Sequence, residues 1–365
     1  MERRRFIVKA GGVLAAATAA TRIVDAPNVI AQPKFQWRLH TTWPKGLATL
    51  HGSAVRFAEY VDHLTEGRLK IQVFAAGELI PALQGFDAVS QGTVEAMHSA
   101  AYYWAGKTAA CQWFGAVPFG LSAQGMNAWF YEGGALKLWD EVYAPFGVTA
   151  RPCGNTGIQM AGWFKKKINS LQDYKGLKMR IPGLGGKVVA KAGGTVVLLA
   201  GGDIFPALER GTIDATEWVG PEDDIKLGLH QAARYYYSPG WHEPGTVEEA
   251  VFNKKAYDGL PADIRHAIDL ACEANNIRTL ADYNRRNAVG LQRLHTEFKA
   301  KVEILQLPAD VLKGLKPMAD ETLEEEAKKD ATTGRIHEAF KKFRALYNSW
   351  DQVSESPYQR LIATS

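Results

Sequence analysis

The chain has 365 residues, 46 % of them hydrophobic and 22 % charged, with a formal net charge of +4. This length suits two domains of ordinary size, and the composition suits a soluble globular fold. No uninterrupted apolar run reaches the roughly twenty residues that a membrane span needs. Residues 1–31 hold five basic and two acidic side chains and so contribute +3 of the +4, which leaves the remainder at +1 without a long basic tract and argues against a nucleic-acid partner.

Those first residues read as an export signal. A basic cluster is followed by a small, mildly apolar stretch from Ala10 to Ala20 and a small-residue cleavage region near Val29–Ala31. Arg3-Arg4-Arg5-Phe6-Ile7 resembles a twin-arginine signal, with Lys9 one place beyond its usual position, and implies a periplasmic mature protein. Beyond it, FQWRLHTTW (35–43) predicts a strand, residues 48–66 a helix ended by Gly67, and LKIQVF (69–74) a second strand. Residues 81–92 predict a short helix and TVEAMHS (93–99) a third strand. The alternation restarts near Gly147. GVTARP and GIQMAGWF read as extended, LKMR as a strand, residues 182–194 as a helix opened by proline, TVVLLA as a strand, residues 203–211 as a short helix and IDATEW as a strand. The last third is helical: a long helix over 262–298, a strand at 302–307 and a further amphipathic helix over about 309–348. The pattern predicts two α/β units with mixed sheets flanked by helices, a helix longer than one domain's width and a helical C-terminal extension. Residues 32–153 plus 220–252 form the first domain and 154–219 plus 253–300 the second. Residues 301–365 then pack across both or are exchanged in a homodimer.

The sequence shows no catalytic set. None of its nine histidines forms H-x-x-x-H, G-x-S-x-G is absent, and PGLGGK (182–187) lacks phosphate-loop spacing. Cys111, Cys153 and Cys272 are odd in number and widely spaced, which fits buried thiols with at most one bridge. Four features instead converge on a ligand. Asn155 and Gln159 share one face of an extended stretch if it keeps a period of two. Arg180 ends a strand just before a proline-opened helix, Glu217 and Trp218 end IDATEW, and SPGWHEPG (238–245) carries Trp241 and Glu243. Arginine grips a carboxylate through two parallel hydrogen bonds. Two buried carboxylates near such an anion need a cation between them. Gln159, Glu217 and Glu243 with a main-chain carbonyl would supply hard oxygen donors. Trp218 and the tyrosines of AAYYWAG (100–106) would form dry walls.

GLKMRIPG (176–183) and GGDIFPALERGTIDATEW (201–218) resemble the central signature of the solute-binding proteins of TRAP (tripartite ATP-independent periplasmic) transporters. AGELIPALQGFDAVSQGTVE, YYWAGK, VPFGLSAQGMNAW, GNTGIQMAGWF and EWVGPEDD resemble the branch that binds 2-oxoacids and other monocarboxylates. The resemblance spans nearly the whole chain after the signal. It implies a non-enzymatic clamp of two α/β domains with the long helix between them, which hands a pyruvate- or lactate-like acid to the membrane subunits of such a transporter. It places Arg180 on the ligand carboxylate, and Gln159, Glu217 and Glu243 on a sodium or calcium ion, with Trp218 beside them as a further donor. Asn155 and Tyr102 or Tyr103 fall on polar pocket positions. The sequence departs from the pattern at His242, where another aromatic is expected, and at Pro244, where glycine is common. An exported metal-assisted enzyme acting on such acids and a ligand-presenting subunit of a membrane sensor stand as the alternatives.

Overall fold

The computed structural model describes residues 34–363; the expected export signal lies outside them. Eleven strands form among the described residues: β1 (Phe35–Thr41), β2 (Leu69–Phe74), β3 (Ala96–Ala100), β4 (Val148–Asn155), β5 (Gly162–Phe164), β6 (Lys178–Arg180), β7 (Thr195–Val197), β8 (Ala215–Thr216), β9 (Tyr235–Ser238), β10 (Val247–Asn253) and β11 (Glu303–Gln306). They make two mixed sheets, one ordered β2-β1-β3-β10-β4 and the other β11-β9-β5-β8-β6-β7. β1 runs parallel to β2 and β3, whereas β10 is antiparallel to β3 and β4. In the second sheet β6 is parallel to β7 and β8, and β5 is antiparallel to β8 and β9. Helices flank both sheets, so the α/β architecture is the expected one.

Local pattern explains the first unit. Trp37 and Leu39 of β1 turn inward while Gln36 and Arg38 face solvent. In the helix Leu50–Leu64, Leu50, Ala54, Phe57, Ala58 and Val61 are buried, the stripe that a 3.6-residue period creates. Behind the first sheet, Phe114 is stacked between Trp129 and Trp139, with ring centroids 5.7 and 5.2 Å away. All three cysteines are buried and free. No helix among the described residues is long and apolar enough to cross a membrane.

The chain passes directly from sheet to sheet at residues 156–161, between β4 and β5, and back at 239–246, between β9 and β10. The expected grouping of 220–252 with the first sheet is divided by this path: β9 pairs inside the second sheet, and only β10 returns to the first. The long helix is continuous over Ala262–Thr296, about 50 Å at 1.5 Å per residue. The helix expected over 309–348 is two helices, Ala309–Ala327 and Ala331–Asp351. Asp330 breaks it: its carboxylate accepts the backbone N–H of Thr333 and so caps the second helix. Leu315 and Ala319 of the former pack with Met179 and Val188 under the second sheet. Ile336 and Phe340 of the latter join the Trp113–Trp129 core of the first. A last helix, Glu355–Ala363, follows.

Candidate functional site

Both crossing segments and several strand ends meet at one place. In open α/β sheets the carboxyl ends of strands leave backbone and side chains free to form a crevice. Here β3 delivers Tyr102 and Tyr103, β6 ends on Arg180, and β8 runs straight into Glu217 and Trp218. Residues 156–161 bring Gln159, and residues 239–246 bring His242 and Glu243.

Arg180 is 1 % exposed, unusual for an arginine at a strand end. Its Nη1 donates to the Glu217 carboxylate and, at 3.1 Å, to the Glu217 backbone carbonyl. Its Nε donates to the Leu199 carbonyl at 3.2 Å, and Nη2 reaches the Tyr103 hydroxyl at 3.4 Å. The guanidinium carbon lies 5.1 Å from the Trp218 ring centroid, a cation–π contact in a desolvated setting. Burial pushes Glu217 up to about 7 against the pull of Arg180. Burial also raises the Tyr103 hydroxyl to about 12, although Arg180 opposes it.

On the other side, Gln159 Nε2 donates to Glu243 Oε2 at 2.8 Å, and Thr246 donates to the same oxygen at 2.7 Å. Gln159 Oε1 is buried and finds no partner in the protein. Burial, then the nearby Glu217 charge, push Glu243 up to about 7. The shared face expected for Asn155 and Gln159 does not form, because Gly157 has φ +70° and turns the chain between them. Asn155 instead accepts the Gly157 N–H at 2.8 Å and donates to the Gly245 carbonyl at 3.4 Å, fastening the two crossing segments together. Thr156, and not Asn155, lines the adjoining cavity.

Tyr103, Trp218, Gln159 and Thr246 from these groups line that cavity, whereas Arg180, Glu217 and Glu243 do not. It has about 260 Å³ of empty space, so narrow that it accepts about one water molecule unless side chains move. Trp43, Tyr102, Tyr103 and Trp218 form its aromatic walls, and Gln159 and Glu248 its polar ones. A wider hollow open to solvent, about 650 Å³, lies across the same two tyrosines. A larger surface hollow sits elsewhere, over β1 and β2, and brings together none of these residues.

Sequence reasoning passed over Trp43, Thr246 and Glu248. A signal existed for the last: Glu248-Glu249 is a carboxylate pair inside an otherwise apolar stretch, and both side chains are buried. His242, noted only as a departure, lies with Glu217 and Glu243 so that one ligating atom from each falls within 4.8 Å of the others. All three are buried, two of them are carboxylates, and Gln159 adds an unpartnered carbonyl oxygen beside Glu243. This donor set fits a cation, which would offset the burial and the Glu217 charge that now raise Glu243.

A family model described as bacterial extracellular solute-binding protein, family 7, matches residues 40–330. The chain is 41 % identical over 366 residues to the monocarboxylate 2-oxoacid-binding periplasmic protein of Nostoc sp., covering 100 % of both. Among solved structures, it is similar to a TRAP transporter solute-binding protein from Bordetella bronchiseptica RB50, a mixed-occupancy dimer with copurified calcium and picolinate. The TM-score is 0.88 at 38 % identity, over 91 % of this chain and 98 % of that one. It is also similar to a TRAP periplasmic solute-binding protein from Pseudoalteromonas atlantica with bound sodium and pyruvate. There the TM-score is 0.86 at 38 % identity, over 90 % of this chain and 99 % of that one.

Proposed function

Because the chain belongs to the bacterial extracellular solute-binding proteins, family 7, we propose that it captures a small 2-oxoacid or 2-hydroxyacid monocarboxylate, pyruvate- or lactate-like, and passes it in the periplasm to the membrane subunits of a TRAP transporter. Capture without turnover is the chemistry of this family, which sets aside an exported enzyme. The observation that carries the reading is Arg180, a buried guanidinium bonded to the Glu217 carboxylate and to Tyr103, which walls a narrow aromatic cavity that Gln159, with its unpartnered amide oxygen, also lines.

Arg180 exchanges part of its hold on Glu217 for the incoming carboxylate, with Tyr103 steadying the guanidinium. Glu217 is then free to turn toward Glu243 and Gln159, which together would hold a sodium or calcium ion. Such an ion supplies a positive point that the carboxylate and the keto or hydroxyl oxygen of the acid can share. Trp43 and Trp218, edge to face with centroids 6.3 Å apart, keep water from the contacts and so strengthen them. The narrowness of the cavity limits the ligand to a short acid and requires Tyr102 or Tyr103 to move as it enters.

Calorimetry of the purified protein with pyruvate tests this. Binding at one equivalent with no loss of pyruvate is expected, weakening at least about tenfold once cations are removed by chelation and ion exchange. Consumption of pyruvate, or affinity indifferent to sodium and calcium, would sink the reading.

The homodimer rests on a separate feature. Leu346, Trp350, Val353 and Tyr358, near the C-terminus, are each more than half exposed and form an apolar stretch that a second copy of the chain would cover. Sedimentation should show a dimer in the wild type and a monomer in the double variant Trp350→Glu/Val353→Glu. A wild-type monomer at micromolar concentration would remove the pairing.

A further inference from the structure

His242 occupies an unusual position. The residue is 1 % exposed, and neither ring nitrogen finds a hydrogen-bond partner in the protein. Leaving buried polar atoms unbonded is costly, so a side chain of this kind ordinarily has a partner. The nearest charged atom is Glu217 Oε2, 3.5 Å from His242 Nε2, but Glu217 already takes the Arg180 guanidinium through its other oxygen. The imidazole is also fixed in place. A Cβ built on Gly185 would stand 2.8 Å from His242 Cβ, so only glycine lets the helix Gly183–Lys191 close on it. Trp241 flanks the ring with centroids 5.6 Å apart.

Resting on the reading above that a cation shares the cleft with the ligand, we infer that His242 gives an imidazole nitrogen to that cation, together with Glu217 and Glu243. The ligating atoms of the three side chains lie within 4.8 Å of one another. That span suits a single ion with donors about 2.0–2.2 Å away after modest adjustment. Sodium and calcium favour shells made of oxygen alone. Imidazole beside carboxylate suits borderline divalent ions such as zinc, cobalt and nickel. His242 thus shifts the preference of the seat from hard cations toward these ions. A divalent ion also balances the two carboxylates, which leaves Arg180 free for an anionic ligand.

The test uses the full chain after removal of bound metals. Titration with cadmium-113 alone, in protein carrying nitrogen-15 histidine, should give a direct cadmium–nitrogen coupling at one imidazole. This needs no variant. Titration with cobalt(II), followed by its visible absorption, should show binding at least about tenfold tighter than calcium measured by calorimetry. His242→Phe, which refills the slot with a ring, should reduce the ratio of cobalt to calcium affinity at least about tenfold. Absence of the coupling, or an equal loss of both metals in the variant, would overturn the assignment and leave His242 a packing residue. Pyruvate binding by the wild type with calcium, run in parallel, separates the two readings. If pyruvate binds while the coupling is absent, only the imidazole ligand fails. If neither pyruvate nor any cation binds, the proposed function fails with it.

Discussion

Arg180→Met should abolish detectable pyruvate binding, a loss of at least about a hundredfold and on the scale of 3–5 kcal/mol for breaking a buried charge pair. Methionine keeps much of the volume and none of the charge. The argument has two parts. The ligand carboxylate would enter a space walled by Trp43, Tyr102, Tyr103 and Trp218, where an unpaired anion is costly, and Arg180 reaches the Tyr103 wall of that space while bonded to Glu217. The same substitution leaves Glu217 buried without its partner. Burial already holds that carboxyl near 7 with the guanidinium present, so without it the group becomes protonated at neutral pH and a cation ligand is lost as well. The double variant Arg180→Met/Glu217→Gln separates folding from binding, because it removes the orphaned charge. It should unfold near the wild-type temperature and still fail to bind. If either variant bound pyruvate within tenfold of the wild type, Arg180 would not be the carboxylate clamp.

Much of the fold could be read along the chain, because its elements are punctuated by local chemistry. Gly67, with φ +77°, stops the helix Leu50–Leu64, and Pro182 precedes the helix Gly183–Lys191. Arg180 closes β6 just before Pro182, and Glu217 and Trp218 follow β8 just before Gly220 and Pro221, so the same punctuation marks both strand ends. What escaped reading was decided by tertiary contacts. β10 inserts between β3 and β4 although Glu248 and Glu249 interrupt its apolar pattern. Trp104 and Tyr143 donate to Glu249 at 2.6 and 2.8 Å, and both donors lie more than a hundred residues away. No window of sequence contains that compensation. The break at Asp330 was legible in principle, since aspartate ahead of Ala-Thr-Thr is a good cap, but helical periodicity on both sides concealed it.

Glu248 leads to the second large expectation: in the absence of ligand, the protein should lose stability as pH rises from 5 to 8. Neither carboxyl oxygen of Glu248 has a well-formed hydrogen bond, and burial pushes the group up to about 8, although His98, 3.6 Å away, and the nearby Ser53 hydroxyl pull it down. Its neighbour Glu249, with two donors, rises only to about 7. For a carboxyl whose folded value exceeds the unfolded one near 4.5, the folded state holds the proton more tightly. Its contribution is therefore complete below about 4.5 and is lost as pH climbs through about 8. At about 1.4 kcal/mol per unit, Glu248 alone accounts for roughly 3 kcal/mol between pH 5 and 8. Glu217 and Glu243 add in the same direction up to about 7, and occupation of the cleft by a cation should offset their part of the decline but not that of Glu248. Urea unfolding of the metal-free protein at pH 5 and 8 measures the slope. Glu248→Gln keeps the shape, removes the titration and should flatten the profile by most of that amount, whereas an unchanged slope in this variant would show that Glu248 is not the buried acid responsible.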